Sequence, residues 1–198
     1  MVYLKDIPKA PWRLEYYAQY FDLSTKVALD RVLKALWPFR SESFLQSDPE
    51  PDLYVPVWNF ISLIILMTLV SNLTNDKTNI TQSLISCWMG FGIYLGVNIA
   101  VAFASLRMNG GTIGLFNLVS LYGYSIVVYS PMAVLYLLPF RIFRFTILIG
   151  GAAMSLYFTE RNLGSICNKH LKNNASLARI FAFFMKLILL YSIYFKIL

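Results

Sequence analysis

The sequence predicts an all-α integral membrane protein: five transmembrane helices behind a cytosolic N-terminal tail that contains a short amphipathic helix. Three observations predict it. Hydrophobic residues make up 58% of the 198-residue chain and charged residues only 14%, with a mean hydropathy of +0.58, whereas a soluble domain carries roughly 25% charged residues. No charge occurs from Leu53 to Asn75, and about 20 apolar residues cross a bilayer core. Charge is also unevenly divided. Residues 1–52 hold seven Lys/Arg and eight Asp/Glu, while 53–198 hold ten Lys/Arg and two acids, Asp76 and Glu160. Two domains follow: a tail over 1–52 and a membrane domain over 53–198.

The positive excess belongs to the membrane loops. That points to anionic lipid headgroups as partners and away from nucleic acid, which needs a basic patch on a soluble face. Cys87 lies in an apolar run and Cys167 in a basic loop, so no disulfide framework is expected. Cys167 is a candidate for palmitoylation, with an unmodified thiol the simpler reading. No apolar core precedes residue 53, so the first span is expected to serve as the membrane signal.

In the tail, Trp12, Tyr16 and Tyr20 recur every four residues and share one helical face. Rings with polar tips suit a membrane interface, a partner groove or the protein's own membrane domain. A helix is predicted over about 24–36, capped by Asp22 or Ser24. Its apolar stripe is Leu23, Val27, Val32 and Leu36, or alternatively Leu29 and Leu33. Lys26–Asp30 and Asp30–Lys34 are pairs on its wet side. Trp37-Pro38 ends it. Pro38, Pro49 and Pro51 make residues 38–52 an extended linker.

Asp52-Leu53-Tyr54-Val55-Pro56 opens the first span, about 55–73. Pro56 falls in the first turn, where its missing N–H costs nothing, and Tyr54 and Trp58 are placed as interfacial anchors. The second span is about 84–106, with a Gly92-x-x-x-Gly96 pattern that permits close helix approach. Met108 to Phe140 is charge-free for 33 residues. One bent third span, about 113–138, accounts for it, with Gly123 giving close packing and Pro131 the bend. Pro131 would free a carbonyl for Ser125, Ser130 or a tyrosine hydroxyl. The fourth span, about 145–159, is short and bears Gly150 and Gly151. A basic loop from Arg161 to Arg179 follows, then a fifth span, about 177–197, containing Lys186. Counting Lys and Arg places twelve on the tail side and four on the other, so the N-terminus is expected in the cytosol and the C-terminus in the lumen. Asn72-Leu73-Thr74 and Asn79-Ile80-Thr81 are then lumenal glycosylation sequons.

No catalytic constellation stands out, and the chain reads as a non-enzyme. His170 is the only histidine, which excludes a His-based metal cluster, and no Gly-x-Ser-x-Gly elbow is present. No cofactor is expected. Lys186 is the one ionisable residue within a span, either a transport residue or a snorkelling or structurally paired lysine.

With those residues in hand, Asp52-Leu53-Tyr54-x-Pro56 resembles the DLYGP motif of the Yip/Yif domain family, with Val55 where that family has glycine. Tyr122-Gly123-Tyr124-Ser125 and Pro131 resemble its second motif, GY…P, in the third span. Trp12-Arg13-Leu14-Glu15-Tyr16-Tyr17, Phe21-Asp22, Val32 and the Arg31 helix resemble the cytosolic tail of a Golgi subgroup whose members carry a WxxEYY…FD pattern. The resemblance runs from about residue 12 to 190. It implies a five-span, non-enzymatic factor of Golgi and early secretory vesicle traffic, with the Golgi membrane as its site and ER or endosomal membranes as alternatives. It implies as partners prenylated Rab (Ypt) small GTPases and another Yip/Yif family member. Asp52, Leu53, Tyr54, Pro56, Gly123, Tyr124 and Pro131 are the partner-binding residues that the motifs carry over. The competing readings are a small transporter or channel built around Lys186, and a membrane-shaping structural protein using the 24–36 helix as a wedge.

Overall fold

A computed structural model describes residues 14–39, 51–74, 79–108, 113–138, 140–170, 180–181, 183–189 and 193. Every regular element among them is helical: α1 (Leu14–Ala18), α2 (Thr25–Leu36), α3 (Tyr54–Thr74), α4 (Ile80–Met108), α5 (Leu115–Ser125), α6 (Tyr129–Leu135) and α7 (Arg141–His170). Among the described residues, four stretches are long and apolar enough to cross a membrane: Tyr54–Thr74, Ile80–Met108, Leu115–Leu135 and Ile142–Gly164. Trp12, linker residues 40–50, the polar turn at 75–78, residues 171–179 and the ends of the fifth predicted span lie outside the described residues, as do the side chains of Cys167 and His170. Within the stretch predicted as a fifth span, residues 183–189 are helical, and Leu189 and Ile193 are buried in the bundle.

The first three spans fall close to where the sequence puts them. The third is the centre of the bundle, with 67% of an 18-residue apolar stretch buried against 28–44% in the other three. It packs against α3, α4 and α7, and α2 lies across its tail-side end. Its bend is a turn at 126–128 between α5 and α6, closed by short-range bonds from Val127 N to Tyr124 O and from Tyr129 N to Ile126 O, both 3.1 Å. Pro131 has no N–H to give Val127 O, and Ser130 N takes that carbonyl instead at 3.1 Å. The Ser130 hydroxyl goes elsewhere, to Asn59 Oδ1 on α3 at 2.7 Å. Ser155 of α7 bonds the Ser125 carbonyl at 2.5 Å. The break in the central helix is thus satisfied by its own backbone and by a neighbouring serine.

The fourth span departs from the expectation. The sequence ends it near 159 because Glu160 and Arg161 follow, but α7 continues through His170. No proline or glycine cluster stops it, and the next residues have partners. Asn162 Nδ2 bonds Phe158 O at 2.8 Å, Leu163 is 1% exposed, and Arg161 Nη1 reaches Pro38 O at 2.5 Å. Charges at a membrane boundary mark the edge of the bilayer, not the end of the helix.

Glycine packing also differs. A Cβ at Gly92 or Gly96 would meet nothing within 4 Å, so that pair brings no described helix close. Asn72 lies inside α3, its amide bonded to Thr68 O at 2.8 Å, which leaves the first sequon within a helix.

Candidate functional site: the Asp52 junction

Asp52 is the last residue of the predicted tail, directly before the membrane domain expected from 53. As the residue two before α3, Asp52 is placed to cap it. Its Oδ1 accepts from Val55 N at 3.3 Å, which satisfies one of the free N–H groups at the helix start and sets a negative charge at the positive end of the dipole. Its Oδ2 accepts twice, from Arg31 Nη1 on α2 and from Tyr124 Oη on α5 at 2.9 Å. Asp52 is 3% exposed and Arg31 4%. A buried carboxylate costs several kcal/mol to desolvate, of order what an ion pair and two further bonds return. The energetic value of this junction is that it fits only one arrangement of three separate elements.

The same sequence forces explain each contributor. On α2, the inward residues are Ala28, Arg31, Val32, Ala35 and Leu36. They are spaced three and four apart, one face of a helix. This corrects the predicted stripe: Val27, Leu29 and Leu33 are exposed, and the buried face is built on small alanines that let α2 sit close, with one arginine among them. The Asp30–Lys34 pair forms as expected, at 2.7 Å on the outer side.

Next to Asp52, Leu53 is buried and its N–H bonds Tyr20 O at 2.8 Å, which ties the tail to the start of α3. Pro56 packs on Gly123. A Cβ at Gly123 would collide with Pro56 Cβ and stand 2.9 Å from its Cγ and 3.2 Å from its Cα. Glycine is therefore required at 123 by the proline of the first span. Val55 is helical and buried, so the turn that a glycine would permit is not needed there.

Of the seven motif residues, four meet at one junction: Asp52 with Tyr124, and Pro56 with Gly123. Leu53 is its buried neighbour. Tyr54 points outward, 44% exposed, beside Trp58 with ring centroids 6.5 Å apart. Pro131 is in α6, exposed and apart from the junction. Arg31 is the participant that motif reading did not assign a role. Its position among Ala28, Val32 and Ala35 on an otherwise apolar face was the available signal.

Tail aromatics finish the assembly. Tyr16, Tyr17 and Tyr20 surround Phe116 at the start of α5, with centroids 6.5, 6.0 and 4.5 Å from it. Of the three places open to this cluster, the protein's own membrane domain is the one it occupies. Burial, then the bond to Tyr16, pushes the Tyr20 hydroxyl up to about 12. Between this cluster and the ion pair lies a cavity of about 290 Å³, lined by Gln19, Tyr20, Asp22, Leu23, Arg31, Pro51 and Asp52. It is polar and faces the tail side.

Deeper in the bundle, Lys186 is 2% exposed and its Nζ donates to Thr159 Oγ1 of α7 at 3.1 Å. It is a buried, paired lysine rather than one reaching out to the headgroups. Among the described residues, no group of three or more His, Cys, Asp or Glu is placed to hold a metal ion.

Comparison with known proteins places this geometry. The Yip1 domain family model matches residues 34–195, a stretch that contains Asp52, Pro56, Gly123 and Tyr124. The protein named YIPF1 homolog of Dictyostelium discoideum is 22% identical over 164 residues, which cover 77% of this chain and 46% of that protein. The chain thus spans about half the length of that curated relative. No solved structure matches. With four long apolar helices and a family match over most of its length, the chain belongs to the Yip1 domain family of multi-pass membrane proteins.

Proposed function

We propose that this protein is a non-enzymatic membrane-trafficking factor of the Golgi and early secretory pathway, which binds prenylated Rab-type small GTPases and pairs with a second Yip family member. Membership of the Yip1 domain family supports the trafficking role. The observation that carries the rest is the Asp52 junction. The two sequence motifs lie 72 residues apart at Asp52 and Tyr124 and meet at one point. There they lock α2 and the tail onto the central helix beside a polar cavity. A protein receiving a soluble GTPase at the membrane needs a fixed tail-side surface, and this junction makes one. The N-terminus is then cytosolic and the C-terminus lumenal.

In this reading the GTPase engages the tail-side surface, and its prenyl chains lie against the bundle, each buried CH₂ contributing about 0.8 kcal/mol. The test uses the full chain purified in mild detergent. A prenylated Rab-type GTPase and a related family member are expected to co-purify, the GTPase losing most of its retention when unprenylated. Equal retention of unprenylated GTPase would remove the prenyl contribution, and absence of both partners would sink the proposal.

A further inference from the structure

The face of α2 turned away from the bundle is unusual for a cytosolic helix. Leu29 is 56% exposed, Leu33 58% and Trp37 58%, and they recur every four residues, so they form one stripe along the helix. The stripe does not stop at the end of α2. The Trp37 ring meets Phe39 with centroids 5.5 Å apart, and Phe39 stacks on Tyr157 of α7 at 4.9 Å. Tyr157 is itself the last of an exposed row on α7, Phe145, Ile149, Ala153 and Tyr157, again spaced by four. That row lies on the outer surface of a helix apolar enough to cross a membrane, where acyl chains are its natural solvent. One apolar band therefore runs up the outside of the bundle and turns onto α2 without interruption.

Cations outnumber acids beside this band: Lys26, Lys34, Arg107 and Arg161 stand against Asp30, which pairs with Lys34, and Glu160. Arg161, one turn beyond Tyr157, bonds Pro38 O and fixes the corner. Lys26 and Lys34 flank the stripe on α2, and Arg107 ends α4 at the same tail-side end of the bundle. We propose that α2 lies in the tail-side leaflet, with Leu29, Leu33 and Trp37 inserted among the acyl chains and its lysines against anionic headgroups. Interfacial helices bury their apolar side about 5–10 Å into that boundary. The occupant of the stripe is the membrane that already surrounds α7. The Arg31–Asp52 pair then holds α2 at a fixed depth, so the tail forms a rim around the bundle.

The experiment places one environment-sensitive fluorophore at a time on the full chain, in vesicles of phosphatidylcholine with phosphatidylserine. Cys87→Ser and Cys167→Ser clear the background, and Leu33→Cys, Leu29→Cys and Asp30→Cys give the labelling sites. Blue-shifted emission at 29 and 33 is expected, with quenching by nitroxide-labelled lipid several-fold stronger than at 30. Water-like emission at 33 with quenching no stronger than at 30 would overturn the proposal. So would a blue-shifted, lipid-unquenched signal that rises with protein density, which would mean that a second copy covers the stripe.

Discussion

Tyr124 donates a 2.9 Å hydrogen bond to Asp52, and the next residue back, Gly123, is where Pro56 rests. Two adjacent residues of the central helix thus read two nearby positions at the start of the first span, one by a polar contact and one by shape. That pairing makes the junction sensitive to single substitutions in a way that can be ordered in advance.

Asp52→Ala leaves the buried Arg31 without its carboxylate and is expected to cost about 3–5 kcal/mol, the usual penalty for breaking a buried pair. Tyr124→Phe removes one bond to a charged acceptor and should cost about 1.5–3 kcal/mol. Replacing both ends, Arg31→Met with Asp52→Leu, should cost less than Asp52→Ala alone, because no charge is left stranded. Thermal unfolding in detergent orders the three. If the double substitution is the worst of them, the junction is not an ion pair of this kind.

Gly123→Ala forces a methyl group into Pro56 and should destabilise by about 1–3 kcal/mol, as overpacking does. Pro56→Gly in the same chain should recover part of the loss. By contrast, Gly92→Ala and Gly96→Ala enter open space and should be neutral or stabilise by up to about 1 kcal/mol, since alanine suits a helix better. Gly151 sits between these cases. A methyl there collides with the end of the Met132 side chain, which can swing aside, and makes ordinary contact with Val128 Cγ1 at 3.5 Å. The same unfolding series measures all four, and a Gly96→Ala loss as large as that of Gly123→Ala would contradict the packing.

Thr159→Val takes the acceptor from Lys186 and leaves a buried amine without that bond, for an expected cost of about 1–3 kcal/mol. Lys186→Met added to it should restore much of that stability. A transport role for Lys186 predicts something different: loss of a measured solute flux in Lys186→Met vesicles with folding intact.

Phe116→Ala removes the ring that Tyr20 and its neighbours surround. Aromatic pairs contribute about 0.5–1.5 kcal/mol each beyond area burial, so the bundle should stay folded while the tail loosens. Hydrogen exchange should rise at residues 14–20 with little change in α3 to α6. A uniform rise throughout would show that the tail is not a separable layer.

Much of this architecture was legible locally. Hydrophobic runs of bilayer length are a property of contiguous residues, so the first three spans fall near their predicted places, and Pro56 could be put in a first turn from its neighbours alone. The end of α7 was not legible. A Glu160-Arg161 step reads as a boundary in sequence, and whether a helix stops there depends in part on Pro38, whose carbonyl takes Arg161 from elsewhere in the fold. The buried arginine was hidden for a similar reason. Arg31 looks like a solvent-facing charge until its carboxylate partner is known.

The amino-acid sequence by itself determined that the chain is a membrane protein, where most of its spans lie, and which motifs it carries, because apolar length and local order of residues need no partner to be read. Only the tertiary structure decided what the motifs are for within the molecule. It brought Asp52 to Arg31 and Tyr124, seated Pro56 on Gly123, and turned Leu29 and Leu33 outward. Those are contacts across distances in sequence, and their energies exist only once separate helices share one position in space.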